Sequence, residues 1–99
     1  MNTLTQDALL FAVRAHDGQY RKNSNDLYVC HPIRVADAVS RLEGATPEMV
    51  AAAFLHDVVE DCDVSLDTLC DRFGADVAVL VCWLTSRSKQ LALHQKNVN

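Results

Sequence analysis

Apolar residues recur at helical spacing along nearly the whole chain, and β-branched alternation is nearly absent. A half-buried strand needs an apolar period of two, whereas a helix needs a stripe at i, i+3, i+4 and i+7. The pattern therefore predicts an all-α protein, a compact bundle of about five to six helices. Caps and breakers mark the boundaries. Helix one is expected over Leu4–Ala15, with Thr3 as N-cap and Leu9, Leu10 and Val13 on its buried side. A polar loop, Asp17–Val29, contains Gly18 and the turn cluster Asn23-Ser24-Asn25-Asp26. Pro32 fits the first position of helix two, which runs to Leu42 and is terminated by Gly44. Thr46-Pro47-Glu48 combines a cap, a first-turn proline and an acid at the positive helix end, and opens helix three, which runs to Asp61. Ser65 caps a short helix, Leu66–Phe73, closed by Gly74; a strongly apolar helix follows over Ala75–Leu84, and Ser88–Asn97 is a polar sixth segment.

Without repeats, low-complexity tracts or a linker, residues 1–99 are expected to form a single domain. A hydrophobic fraction of 49% and a net charge of -4 exclude a disordered chain. Thirteen carboxylates oppose nine Lys and Arg, and Arg21-Lys22 is the only adjacent basic pair. Extended contact with nucleic acid is thereby excluded, whereas one small anionic ligand remains compatible. The longest apolar stretch, Met49–Leu55, falls far short of the roughly 20 residues that span a bilayer. The first residues carry no basic leader, so a cytoplasmic location is expected. Cys30, Cys62, Cys70 and Cys82 form no Cys-x-x-Cys pair and read as reduced thiols.

The chemistry concentrates at the end of helix three, Phe54-Leu55-His56-Asp57-Val58-Val59-Glu60-Asp61. At about 100° per residue, His56, Asp57, Glu60 and Asp61 share one arc, and Leu55, Val58 and Val59 share the opposite one. Imidazole and carboxylate at this spacing suit a divalent metal of mixed N/O preference, with Glu60 and Asp61 placed for proton handling. The plainer alternative is a solvated acidic helix end. Six carboxylates and no Lys or Arg between Asp57 and Asp71 make a bound cation welcome there. A short connection between helices two and three predicts an antiparallel hairpin, which would bring His31 near His56 and Asp57 as a third candidate ligand. His16 reads either as a neighbour of the site or as the polar end of helix one; His94 reads as solvated, and Trp83 as core or interface.

Five ordered blocks carry a resemblance. They are His16-Asp17-Gly18-Gln19-Tyr20-Arg21-Lys22, Tyr28-Val29-Cys30-His31-Pro32, Phe54 to Asp61, Phe73-Gly74-Ala75-Asp76-Val77 and Leu84-Thr85. Together they resemble the hydrolase (HD) domain of the RelA/SpoT family, enzymes that degrade (p)ppGpp. The resemblance implies an HD-type all-α fold and metal-dependent removal of the 3′ pyrophosphate, giving GDP or GTP. It implies His31, His56 and Asp57 as metal ligands, usually for Mn²⁺, with Fe²⁺, Zn²⁺ and Mg²⁺ as the other candidates. Glu60 and Asp61 match the family's acidic pair that activates water, and Arg21 and Lys22 its guanine-nucleotide contacts. Two departures stand out. Asn23-Ser24 replaces the usual small residue and Gly after the basic pair. The family's later Leu-Ala-Asp-Arg-like motif, whose Asp completes the metal site, has no match, so a C-terminally shortened version is expected. The alternative function is accordingly a relative that binds metal, nucleotide or a protein partner without turnover, or an interaction module alone. Val77, Leu80, Val81, Trp83 and Leu84 pack against later helices in the family, so a homodimer through residues 77–84 and the C-terminal tail is expected here.

Overall fold

The computed structural model describes residues 2–22 and 24–85. Five helices follow in order: α1 (Thr3–Ala15), α2 (Cys30–Ser40), α3 (Pro47–Leu55), α4 (Val58–Asp61) and α5 (Leu66–Phe73). Residues 75–85 are also helical and are termed α6. Among the described residues there is no strand, only an isolated antiparallel bridge between Tyr20 and Leu27. The expected segment Ser88–Asn97, with His94, lies outside the described residues. No helix among them is long and apolar enough to cross a membrane.

α3 is the central element. Thr46 Oγ1 accepts the Met49 N–H at its start, and Pro47 occupies the first turn, where a missing N–H costs nothing. Ala51, Ala52, Ala53, Phe54 and Leu55 are all buried, so α3 has no solvated face over this stretch. It packs against both α1 and α2. Alanines make that approach close: Ala8 and Ala12 of α1 and Ala36 of α2 are buried in the same cluster. Leu69 of α5 and Val77 and Val81 of α6 complete it.

Several boundaries differ from the sequence reading. The N-cap of α1 is Asn2, whose Oδ1 accepts the Thr5 N–H, while Thr3 is already helical. Leu10 and Val13 are 51% and 41% exposed, because the face of α1 turned to α3 is the one carrying Thr5, Ala8 and Ala12. α2 begins at Cys30, which puts Pro32 third in the helix, still within the turn whose N–H groups have no helical acceptor. It ends at Ser40, since the Arg41 and Leu42 N–H groups bond three residues back, to Ala38 and Val39. Gly44 then supplies a positive φ of 79° in the turn toward α3.

The largest correction concerns helix three, which ends at Leu55 rather than Asp61. His56 and Asp57 form a turn, and a separate α4 starts at Val58. His56 Nδ1 donates to the Ala53 carbonyl at 2.6 Å. That oxygen is the acceptor an uninterrupted helix would offer to the Asp57 N–H, so a side chain competes with the ladder at this point. The Thr85 hydroxyl reaches the His56 carbonyl at 3.4 Å, tying α6 to the same break.

Leu55 is fully buried immediately before the turn. Leu55→Ala should destabilise the fold by about 2–5 kcal/mol, the cost of lost burial plus a cavity. Urea denaturation checks this: the midpoint should fall with the slope unchanged.

Candidate metal centre

The α2–α3 hairpin brings the start of α2 beside the end of α3, so His31 meets His56 and Asp57. One ring nitrogen from each histidine and one Asp57 oxygen lie within 4.8 Å of one another. Asp57 Oδ2 is 3.2 Å from His56 Nε2 and 3.6 Å from His31 Nε2. The bond from His56 Nδ1 to the Ala53 carbonyl fixes the ring and leaves Nε2 turned to Asp57. Side-chain exposure is 14% for His56 and 15% for Asp57 but 37% for His31, so the cluster opens on the His31 side.

The protonation states follow from this geometry. Burial lowers the His56 pKa, but the hydrogen bond to Asp57, the Ala53 carbonyl and the charges of Asp57 and Asp61 outweigh it, and the net shift is upward. Burial pushes Asp57 up, yet the bonds and charge of His56, with Tyr28 and His31, bring it below the ordinary carboxylate range. His31 is lowered, first by burial; Asp57 opposes this, and His56, Arg21 and Arg34 add to it. Without a metal, a proton on His56 Nε2 fills the gap between imidazole and carboxylate. His31 presents a neutral ring with a lone pair. Two imidazole nitrogens and a carboxylate oxygen form a donor set that fits a divalent cation of mixed N/O preference.

The other residues singled out in the sequence lie around this cluster. Glu60 and Asp61 are exposed on α4. Asp61 is close enough to act on both the Tyr28 hydroxyl and His56. Because of the turn at His56-Asp57, the acidic pair does not continue the α3 surface, and its placement depends on how α4 is held. Arg21 and Lys22 are exposed in the loop before α2, and the Arg21 charge is felt at His31. Arg34, to which the sequence reading gave no role, acts on His31 as well.

Two further residues were quoted in the sequence blocks without a role. The Tyr28 hydroxyl donates to Asp57 Oδ2 at 3.1 Å. Burial, with Asp57 close by, pushes this phenol well above its ordinary range, so it remains a donor. Its main chain is tied to the same site, since the His31 N–H bonds the Tyr28 carbonyl one turn back. Gln19 is bonded to the ring of His16, which ends α1 but is only 2% exposed and therefore an interior group. The tyrosine ring lies tilted 5.0 Å from that of His16 and edge-on 6.1 Å from that of His31, so a series of rings leads from buried His16 to the His31–His56–Asp57 cluster.

Comparison with known proteins places the chain among relatives. The family model of the HD domain matches residues 8–97. A probable guanosine-3′,5′-bis(diphosphate) 3′-pyrophosphohydrolase of Synechocystis sp. is 43% identical over 82 residues, 83% of this chain and 10% of that protein. The guanosine-3′,5′-bis(diphosphate) 3′-pyrophosphohydrolase of Vibrio cholerae is 45% identical over 67 residues, 68% of this chain and 9% of that protein. A human protein of the same name is 44% identical over 77 residues, 76% of this chain and 43% of its own length. The chain thus spans about a tenth of the two bacterial relatives.

A metal must displace the His56 proton, so affinity should rise with pH through the raised His56 range and level off above it, with proton release on binding. Tyr28→Phe removes the donor that orients Asp57 and should weaken Mn²⁺ binding about tenfold or more. Calorimetric titration of both proteins between acidic and mildly alkaline pH, in buffers of different ionisation heat, measures affinity and released protons together.

Proposed function

The chain belongs to the HD-domain family, and from that premise we propose that it is a metal-dependent phosphohydrolase removing pyrophosphate from the 3′ position of a (p)ppGpp-type guanine nucleotide. The carrying observation is the convergence of His31, His56 and Asp57 donor atoms within 4.8 Å beside an acidic one-turn helix. The names of the relatives supply the substrate class. His31, His56 and Asp57 would hold the cation, with Mn²⁺ as the first candidate. The ion would supply Lewis-acid polarisation of a phosphoryl oxygen and a more acidic water.

The chain's own residues do the rest. Asp61, or Glu60 on the same turn, accepts one proton of the attacking water as its oxygen bonds to phosphorus; the bond from phosphorus to the 3′ oxygen breaks, and that oxygen leaves with the electron pair and takes up a proton to become the 3′ hydroxyl. Arg21 and Lys22 contact the nucleotide and offset phosphate charge on the side where His31 is exposed. Tyr28 keeps the Asp57 carboxylate ionised and aimed. Four free thiols suit a reducing, cytoplasmic setting.

The assay is hydrolysis of guanosine 3′,5′-bis(diphosphate) with and without Mn²⁺. Turnover should require metal. Glu60→Gln and Asp61→Asn should each lower kcat by about 10²–10⁴-fold while Mn²⁺ still binds. Arg21→Ala should act chiefly on KM. Turnover indifferent to Asp57→Ala would sink the site assignment. Metal binding without any turnover would replace the hydrolase by a binding module.

We also propose that two copies associate through residues 77–84. Val79 and Trp83 are 66% and 61% exposed. Trp83 borders an apolar groove formed with Val35, Val39, Met49, Leu80 and Leu84, which a second copy would remove from water. The C-terminal tail invoked in the same expectation lies outside the described residues. Light scattering at micromolar concentration should give twice the chain mass, and a monomer would overturn the idea.

A further inference from the structure

The acidic pair sits on the least self-sufficient element of the fold. α4 has four residues, and a single turn is not stable on its own. It closes two main-chain bonds, Asp61 N–H to the Asp57 carbonyl at 2.9 Å and Cys62 N–H to the Val58 carbonyl at 3.0 Å. The carbonyls of its last residues have no helical donor of their own. Buried Val58 anchors its first turn. Its far end, which carries Asp61, needs another support.

Gln19 provides one from 42 residues away in sequence. Its Nε2 donates to the Asp61 carbonyl at 3.1 Å and lies 3.5 Å from Cys62 Sγ. The amide cannot turn over freely, because its Oε1 faces His16 Nδ1 at 3.1 Å. With Nε2 committed to Asp61, Oε1 must accept, so His16 carries its proton on Nδ1. That ring is 2% exposed and also meets Cys62 Sγ at 3.2 Å. The main chain of Gln19 acts in the same direction. Its carbonyl accepts the Tyr28 N–H at 2.9 Å, and Tyr28 in turn holds Asp57. One residue thus connects to both ends of the Asp57–Asp61 turn, by its side chain at Asp61 and through Tyr28 at Asp57.

We infer that Gln19 is a positioning residue for the proposed water-activating pair: its amide, set by buried His16, fixes the end of α4 so that Asp61 stands at a constant distance from the His31–His56–Asp57 cluster. The inference rests on the hydrolase reading for its catalytic consequence, but the mechanical link is testable without turnover. The Gln19 side chain ties the loop before α2 to the end of the acidic turn, so loss of the amide should loosen α4 specifically.

Two variants separate this role from a general packing role. Gln19→Leu removes the amide at nearly constant size. Gln19→Glu keeps an acceptor for His16 but has no donor for the Asp61 carbonyl. Hydrogen exchange of the Asp61 and Cys62 amides should accelerate by about tenfold or more in both, with α5 unchanged. Mn²⁺ affinity and KM should stay within about threefold, while kcat falls by roughly 10–100-fold, as expected when a reacting group is displaced by an ångström or less. Unchanged exchange at α4 would overturn the inference, as would kcat, Mn²⁺ affinity and melting temperature falling together. Should the wild-type chain hydrolyse none of the nucleotide, the hydrolase reading fails by itself. The exchange pattern then decides alone: acceleration confined to residues 58–62 keeps the link, and its absence removes it.

Discussion

One carboxylate oxygen organises this structure. Asp57 Oδ2 receives the Tyr28 hydroxyl and faces His56 and His31, all within 3.6 Å. In a mostly buried carboxylate without such partners, desolvation would push the pKa up and disfavour the charge. Here three groups from two sequence regions converge to keep it ionised. Each of them is itself constrained: His56 by the Ala53 carbonyl, Tyr28 by the Gln19 carbonyl, and His31 by its place in the first turn of α2. The break between α3 and α4 belongs to the same arrangement, since the His56 ring takes the Ala53 oxygen at the point where the helix ends.

The convergence depends on packing chosen for closeness rather than volume. α3 reaches its neighbours through Ala51–Ala53, against Ala8, Ala12 and Ala36. Small residues let helix backbones approach, and the hairpin of α2 and α3 then brings their chemically active ends together. Larger residues on these faces would push the helices apart and open the donor triangle, because close-packed interiors transmit strain. This also explains why Leu10 and Val13 of α1 remain outside: the contact face is the alanine face, and the bulkier side chains lie off it.

Much of this was legible in the sequence, for reasons that can be named. Helical periodicity and the strong caps at Thr46 and Ser65 are local signals, and those helix starts were read correctly. The approach of His31 to His56 followed from a short connection between two helices. What was missed is non-local or side-chain driven. The end of α3 could not be seen, because Phe54 to Asp61 has good helical spacing and the interruption comes from a histidine ring competing for a carbonyl. Tyr28 and Gln19 lay in quoted motifs, but their partners are 29 and 42 residues away. No pattern of spacing along the chain reveals such a bond.

The electrostatics hold the remaining tension. Asp57 to Asp71 contains six carboxylates and no basic residue, in a chain of net charge -4, yet the proposed ligand is itself a polyanion. The conflict is resolved by segregation. Arg21 and Arg34 act on His31 at the open rim, while Asp61 acts on Tyr28 and His56. A cation between the histidines and Asp57 would be the dividing point. Phosphate oxygens would meet positive charge from the rim and the ion, and the carboxylates would face the proton of a water rather than the phosphate. An acidic composition is therefore no argument against the proposed nucleotide substrate when the field is divided in this way; it is what a water-activating half of the proposed site would require.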